Sequence, residues 1–96
     1  MPYITKEDRD SVDKSLGNII PHDGGELQYI IATLIQRYYE RKNIVEGGVR
    51  YRHMEQVMGA LDGASREHYR MVVSPYEDIK IEENGGVYDI RNGEAY

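Results

Sequence analysis

An all-α fold of three main helices plus a short C-terminal helix is predicted from three features of the 96-residue chain. Leu27, Ile30, Ile31, Leu34, Ile35 and Tyr38 recur at the helical period and form one continuous apolar stripe. Met54, Val57, Met58, Leu61, Ser65, His68 and Val72 repeat the pattern on a second segment. Between and around these segments lie helix start and stop residues rather than the alternating runs of strands.

The elements follow in order. After Thr5, "KEDRDSVDKSLGNII" places Val12, Leu16, Ile19 and Ile20 at helical spacing, with acidic residues in the first turn where the helix dipole favours them. The first helix is expected to close near Pro21. "PHDGG" reads as a turn, and Asp23 with Glu26 three residues later fits a capping box for a second helix over residues 25–42. "NIVEGGV" reads as a loop without a phosphate-binding pattern. A third helix is expected from Tyr51 to about Val73. "SPYE" then reads as a boundary, with Ser74 as N-cap, Pro75 at the first helical position and Glu77 at the third. The short fourth helix it opens is expected to end near Asn84 and Gly85. Residues 86–96 form a tail, either irregular or with a short strand at Val87 to Ile90. No repeat, low-complexity segment or linker divides the chain, so residues 1–96 are read as one domain.

So short a chain buries only roughly 60 to 65% of its unfolded surface, and self-association would supply core. A homo-oligomer is therefore expected. There is no cysteine, which excludes disulfides and thiolate metal sites and fits a reducing compartment. No apolar run resembles a signal peptide or reaches the ~20 residues of a membrane span, so a soluble cytoplasmic protein is expected.

The formal net charge of -5 is unevenly spread. Residues 1–26 carry six acids against three bases, residues 27–76 five against seven, and residues 77–96 six against two. A mildly basic middle between acidic ends lacks the broad basic face of a duplex DNA binder, but it allows a small anion to be held locally. All nine aromatic residues are Tyr, a side chain suited to half-buried interfaces and pockets, or to core edges in place of Phe.

The cationic and aromatic residues concentrate in "QRYYERKNIVEGGVRYRH", residues 36–53. At ~100° per residue Arg41 falls near the centre of the second helix's stripe and Arg37 on its edge, so both are expected to face the end of the core. They would either cap the helix C-terminus or help to close a pocket. On the third helix Gly59 and Gly63 sit one turn apart, each costing about 1 kcal/mol relative to Ala. Arg52, Arg66 and Arg70 share their side, and Arg66 and Arg70 repel at i, i+4 by about 0.2–0.5 kcal/mol. Two readings fit this strip. In one, the glycines admit a neighbouring helix and the arginines meet carboxylates. In the other, the glycines open a groove where Arg52, Arg66 and Arg70 hold phosphate and Tyr51 or Tyr69 stacks on a base.

Catalytic patterns are weaker. His22, His53 and His68 have no metal-ligand spacing, and His68 is expected to be a hydrogen-bonded core residue. "HME" at 53–55 matches the H-x-E of zinc deaminases but lacks their cysteine pair. No Ser, His and Asp arrangement is defensible, so neither an enzyme nor a cofactor or metal is expected.

"MPYI" followed by "KEDRD", then "GELQYIIATLI" and "HYRMVVSPYEDIKIEENGGVY", together resemble a family of small proteins encoded by phages and prophages. The resemblance covers about residues 1–88, and "PYEDIKIEENG" is its most specific part. It implies a compact, mainly helical phage or prophage product in bacterial cytoplasm, and it carries no functional residues over. In size, helical character and expected oligomerisation the chain is also similar to phage sponge proteins of the anti-CBASS type, which sequester cyclic nucleotide signals of bacterial immunity.

The leading expectation is thus a phage protein that binds and sequesters an anionic cyclic nucleotide without turning it over, through Arg52, Gly59, Gly63, Arg66, Arg70, Tyr51 and Tyr69, with Arg37 and Arg41 near the pocket. The alternative is an interaction protein that binds a host protein through its acidic termini and takes no small ligand.

Overall fold

The computed structural model describes residues 4–87 and the backbone of residues 90–91 and 94–95. The fold is all-α, built from α1 (Lys6–Leu16), α2 (Gly24–Glu46), α3 (Tyr51–His68) and α4 (Ser74–Asn84), with a π-helical turn at Tyr69–Val73 joining the last two. Two compact units, Met1–Met58 and Gly59–Tyr96, divide the chain, and each is described by itself.

Helix α1 begins as expected after Thr5, whose Oγ1 accepts the Asp8 backbone N–H at 3.1 Å. It stops earlier than the apolar spacing suggested. Gly17 takes φ 60°, open to glycine at no steric cost, and its N–H returns to the Asp13 carbonyl. Ile19 and Ile20 therefore lie beyond the helix and remain exposed.

Helix α2 is capped by Asp23, whose Oδ1 accepts the Glu26 N–H at 2.8 Å. Only half of the expected capping box forms, because the Glu26 carboxylate turns to His22 Nδ1 at 3.0 Å. The helix runs a turn past residue 42 and ends where Gly47 enters the left-handed region at φ 76°. Most of "NIVE" is thus helix, and the connection shrinks to residues 47–50. Along this short turn Tyr38 donates a hydrogen bond to Gln56 Oε1, linking α2 to the start of α3.

The expected boundary at "SPYE" is corrected. Ser74 is no N-cap: its own backbone is helical, at φ -59° and ψ -46°, and its N–H donates to the Tyr69 carbonyl five residues back. Pro75 explains the widened turn. In an α-helix its ring would crowd the Met71 carbonyl and its missing N–H would break one bond of the ladder. A π-helical turn absorbs both, so the chain stays helical from Tyr51 to Asn84. In the tail, Ile90–Arg91 pairs antiparallel with Glu94–Ala95. Tyr88 and Asp89, part of the expected strand, lie outside the described residues.

No hydrophobic side chain is buried among the described residues. His53, at 1% exposure, is the buried residue. Arg37 and Arg41, expected to face the end of a core, are both exposed, because the stripe on which they sit is only partly covered and buries none of its side chains. His68, expected within the core, is exposed for the same reason, as Met54 and Leu61 on its face of α3 are also exposed. Among the described residues, no helix is long and apolar enough to cross a membrane.

Candidate functional site

The arginine and tyrosine cluster around Gly47 and Gly48 resolves into a network centred on Glu46, the last residue of α2. Lys42 Nζ lies 3.0 Å from Glu46 Oε2, one turn away on the same helix. Arg52, from the first turn of α3, places a guanidinium nitrogen 2.8 Å from Oε1. His53 Nε2 approaches the same oxygen at 3.3 Å.

The orientation of His53 follows from its other nitrogen. The Arg50 N–H donates to His53 Nδ1 at 2.9 Å, while the Arg50 carbonyl accepts the His53 N–H. Arg50 is thus the N-cap of α3 and His53 occupies the third helical position, where the side chain of a capping box returns to the cap N–H. An imidazole replaces the usual Glu or Gln. Because Nδ1 accepts, the ring proton sits on Nε2 and points to Glu46.

The three donors stabilise the Glu46 carboxylate. Its pKa falls from 4.5 to about 2, chiefly through Arg52, then Lys42 and His53, against a smaller opposing effect of burial. The sign is that of a depressed acid. The stability it contributes is present above pH 4.5 and is lost as pH falls from there towards 2. Melting temperatures measured across this range should fall less steeply for Glu46→Gln than for the native chain; equal slopes would remove the carboxylate from the acid response.

Neither Glu46 nor His53 was singled out as a site residue from sequence. One signal was available, the three-residue spacing from Arg50 to His53 at a helix start. The seven-residue step from Glu46 to His53 across the turn has no comparable local signature.

The expected anion-binding residues fall into both units. In the first, Arg52 is engaged with Glu46, whereas Arg37 and Arg41 have no carboxylate partner among the described residues. Tyr51 is 67% exposed. In the second, Arg66 Nε pairs with Asp62 at 2.9 Å, both side chains being exposed. Arg70 is exposed without a carboxylate partner among the described residues. Tyr69 donates its hydroxyl to Glu77, and this bond together with the charge of Glu77 pushes the phenol pKa up. A Cβ at Gly59 would meet nothing within 4 Å, so no neighbour among the described residues requires glycine there. Gly63 is half-buried. Residues 59–87 carry six acids against three Lys or Arg, a field that opposes an anion at Arg66 and Arg70. Among the described residues no group of three His, Asp or Glu side chains is arranged to hold a metal ion.

A family model described as a domain of unknown function (DUF6899) matches residues 1–87, and the chain belongs to that family. No curated protein and no solved structure matches the chain.

Proposed function

We propose that this DUF6899 member is a non-enzymatic interaction protein that works as a homo-oligomer, with apolar helix faces that are completed by association. One observation carries the reading: no described hydrophobic side chain is buried, while the helices expose apolar residues at regular helical spacing. Leu27, Ile31 and Leu34 on α2 are 46%, 39% and 40% exposed, and Met54, Met58 and Leu61 on α3 are 43%, 53% and 45% exposed. Ordering a residue's backbone costs roughly 1–2 kcal/mol, and apolar burial is the main term that offsets it. An isolated chain with these half-open faces lacks that term, and association supplies it. The acidic ends then remain available to a host protein. The family likeness of "PYEDIKIEENG" supports a phage origin and a bacterial cytoplasmic setting.

Circular dichroism tests the reading. Helix content and melting temperature are expected to rise with protein concentration, because association stabilises the native state by mass action. A melting temperature independent of concentration, from a chain that stays monomeric, would contradict it.

Sequestration of an anionic cyclic nucleotide is the second reading, and the exposed guanidinium of Arg70, without a carboxylate partner among the described residues and one turn from Arg66, favours it. The Asp62 pair is exposed and therefore weak, so an incoming phosphate can displace it. Under this reading one species in a panel of mono-, di- and cyclic nucleotides raises the melting temperature and is recovered intact. At 100 times its Kd the stabilisation is about 2.7 kcal/mol. Combining Arg66→Ala with Arg70→Ala abolishes the shift. A panel without any shift removes this reading.

A further inference from the structure

We infer that α2 pairs with α2 of a second copy in antiparallel orientation, with Ile31 packed on the partner's Leu34; this rests on the oligomeric reading and specifies its interface. Leu27, Ile31, Leu34, Tyr38, Arg41 and Val45 follow one another at alternating steps of four and three residues, the spacing of a helix-pair seam. Tyr38 is half-buried and already bonded to Gln56. Its neighbours along the seam are open: Leu27, Ile31 and Leu34 as given above, and Val45 at 63% exposure.

Charge selects both the occupant and its direction. Near its C-terminal end the seam carries Arg41, a cation without a carboxylate partner among the described residues, while the other end of α2 begins at Asp23 and Glu26. A parallel copy would set Arg41 on the partner's Arg41 and Asp23 on the partner's Asp23. An antiparallel copy centred between Ile31 and Leu34 instead sets Leu27 against the partner's Tyr38, and Gly24, next to Asp23, against the partner's Arg41. Gly24 leaves room there, since a Cβ on it would meet nothing within 4 Å. Asp23 and Glu26 carry two full negative charges against the roughly half-unit positive charge of the helix N-terminus, although His22 also contacts Glu26. Both ends of a two-fold pair gain the same contact, as an isologous interface requires.

The absence of cysteine makes a cross-linking test clean. Full-length chains carrying Leu27→Cys and Tyr38→Cys are mixed and mildly oxidised, and the products are separated by mass. The antiparallel register predicts that the mixed 27–38 disulfide forms in several-fold excess over 27–27 and 38–38. In a parallel pair the same-position products dominate, because residues 27 and 38 would be separated by roughly 16 Å along the helices. Asp23→Asn, which keeps an equally good N-cap, is expected to weaken self-association by about two- to five-fold. Same-position cross-links in a stable oligomer would overturn this interface and leave the oligomeric reading standing. A chain that is monomeric at every concentration would overturn both. Unchanged association in Asp23→Asn would overturn the charge pairing that sets the direction.

Discussion

Leu34→Glu is expected to dissociate the oligomer, with a loss of about 3–5 kcal/mol per pair and a Kd weaker by roughly two to four orders of magnitude. Leu34 lies at the centre of the α2 seam and is 40% exposed in the single chain. Association removes that remaining apolar area from water. A carboxylate at the same place loses the apolar gain and must also be desolvated, and a two-fold pair incurs both effects twice. Helix content should fall with dissociation, since helices of this length depend on packing more than on propensity. Tyr29→Glu is the control. Tyr29 is 72% exposed and lies on the side of α2 away from the seam, so this substitution should leave the mass in solution unchanged. Equal dissociation by both variants, or by neither, would remove the seam from the interface. Light scattering during gel filtration reads the result directly.

His53→Ala is expected to destabilise the α2–α3 turn by roughly 2–3 kcal/mol. Three losses combine. The Arg50 N–H loses its acceptor, Glu46 loses one of its three donors, and a gap replaces the buried described side chain. For a domain of this size each kcal/mol lowers the melting temperature by about 4–8 °C, so a fall of about 10–20 °C is expected. His53→Gln separates capping from packing. Gln at the third helical position can accept the cap N–H, as in an ordinary capping box, and should recover about half of the loss. An Ala variant that melts within 2 °C of the native chain would show that the network at Glu46 carries little of the stability.

The fold was legible where its cause is local. Apolar spacing located α2 and α3, Asp23 was correctly placed as a cap, and the stop before Gly85 follows from a glycine just beyond the helix. The misreadings have physical causes. Proline suits a first turn, so in the sequence Pro75 reads as opening a new helix, yet a π-helical turn accommodates it within a continuing one. Gly17 stopped α1 against the pull of Ile19 and Ile20, since backbone conformation at a glycine stop outweighs two apolar side chains that find no cover.

The site was less legible. The wheel positions of Arg37 and Arg41 follow from helical geometry, but their burial depends on what packs against α2, which periodicity does not specify. Its helical position sets Arg52 on the side of Arg66 and Arg70, whereas the turn at Gly47 brings it to Glu46. The arginine and tyrosine cluster around that turn is therefore explained in part by a fastening of two helices: Lys42, Arg52 and His53 meet at one carboxylate, and Tyr38 joins Gln56.

Sedimentation of the native chain from nanomolar to tens of micromolar concentration, with helix content followed on the same samples, tests the central claim most directly. Completion of apolar faces by association predicts a mass at least twice the 11.1 kDa of one chain at micromolar concentration, and a loss of helix as the oligomer dissociates on dilution. A stable 11.1 kDa species with full helix content throughout would contradict it.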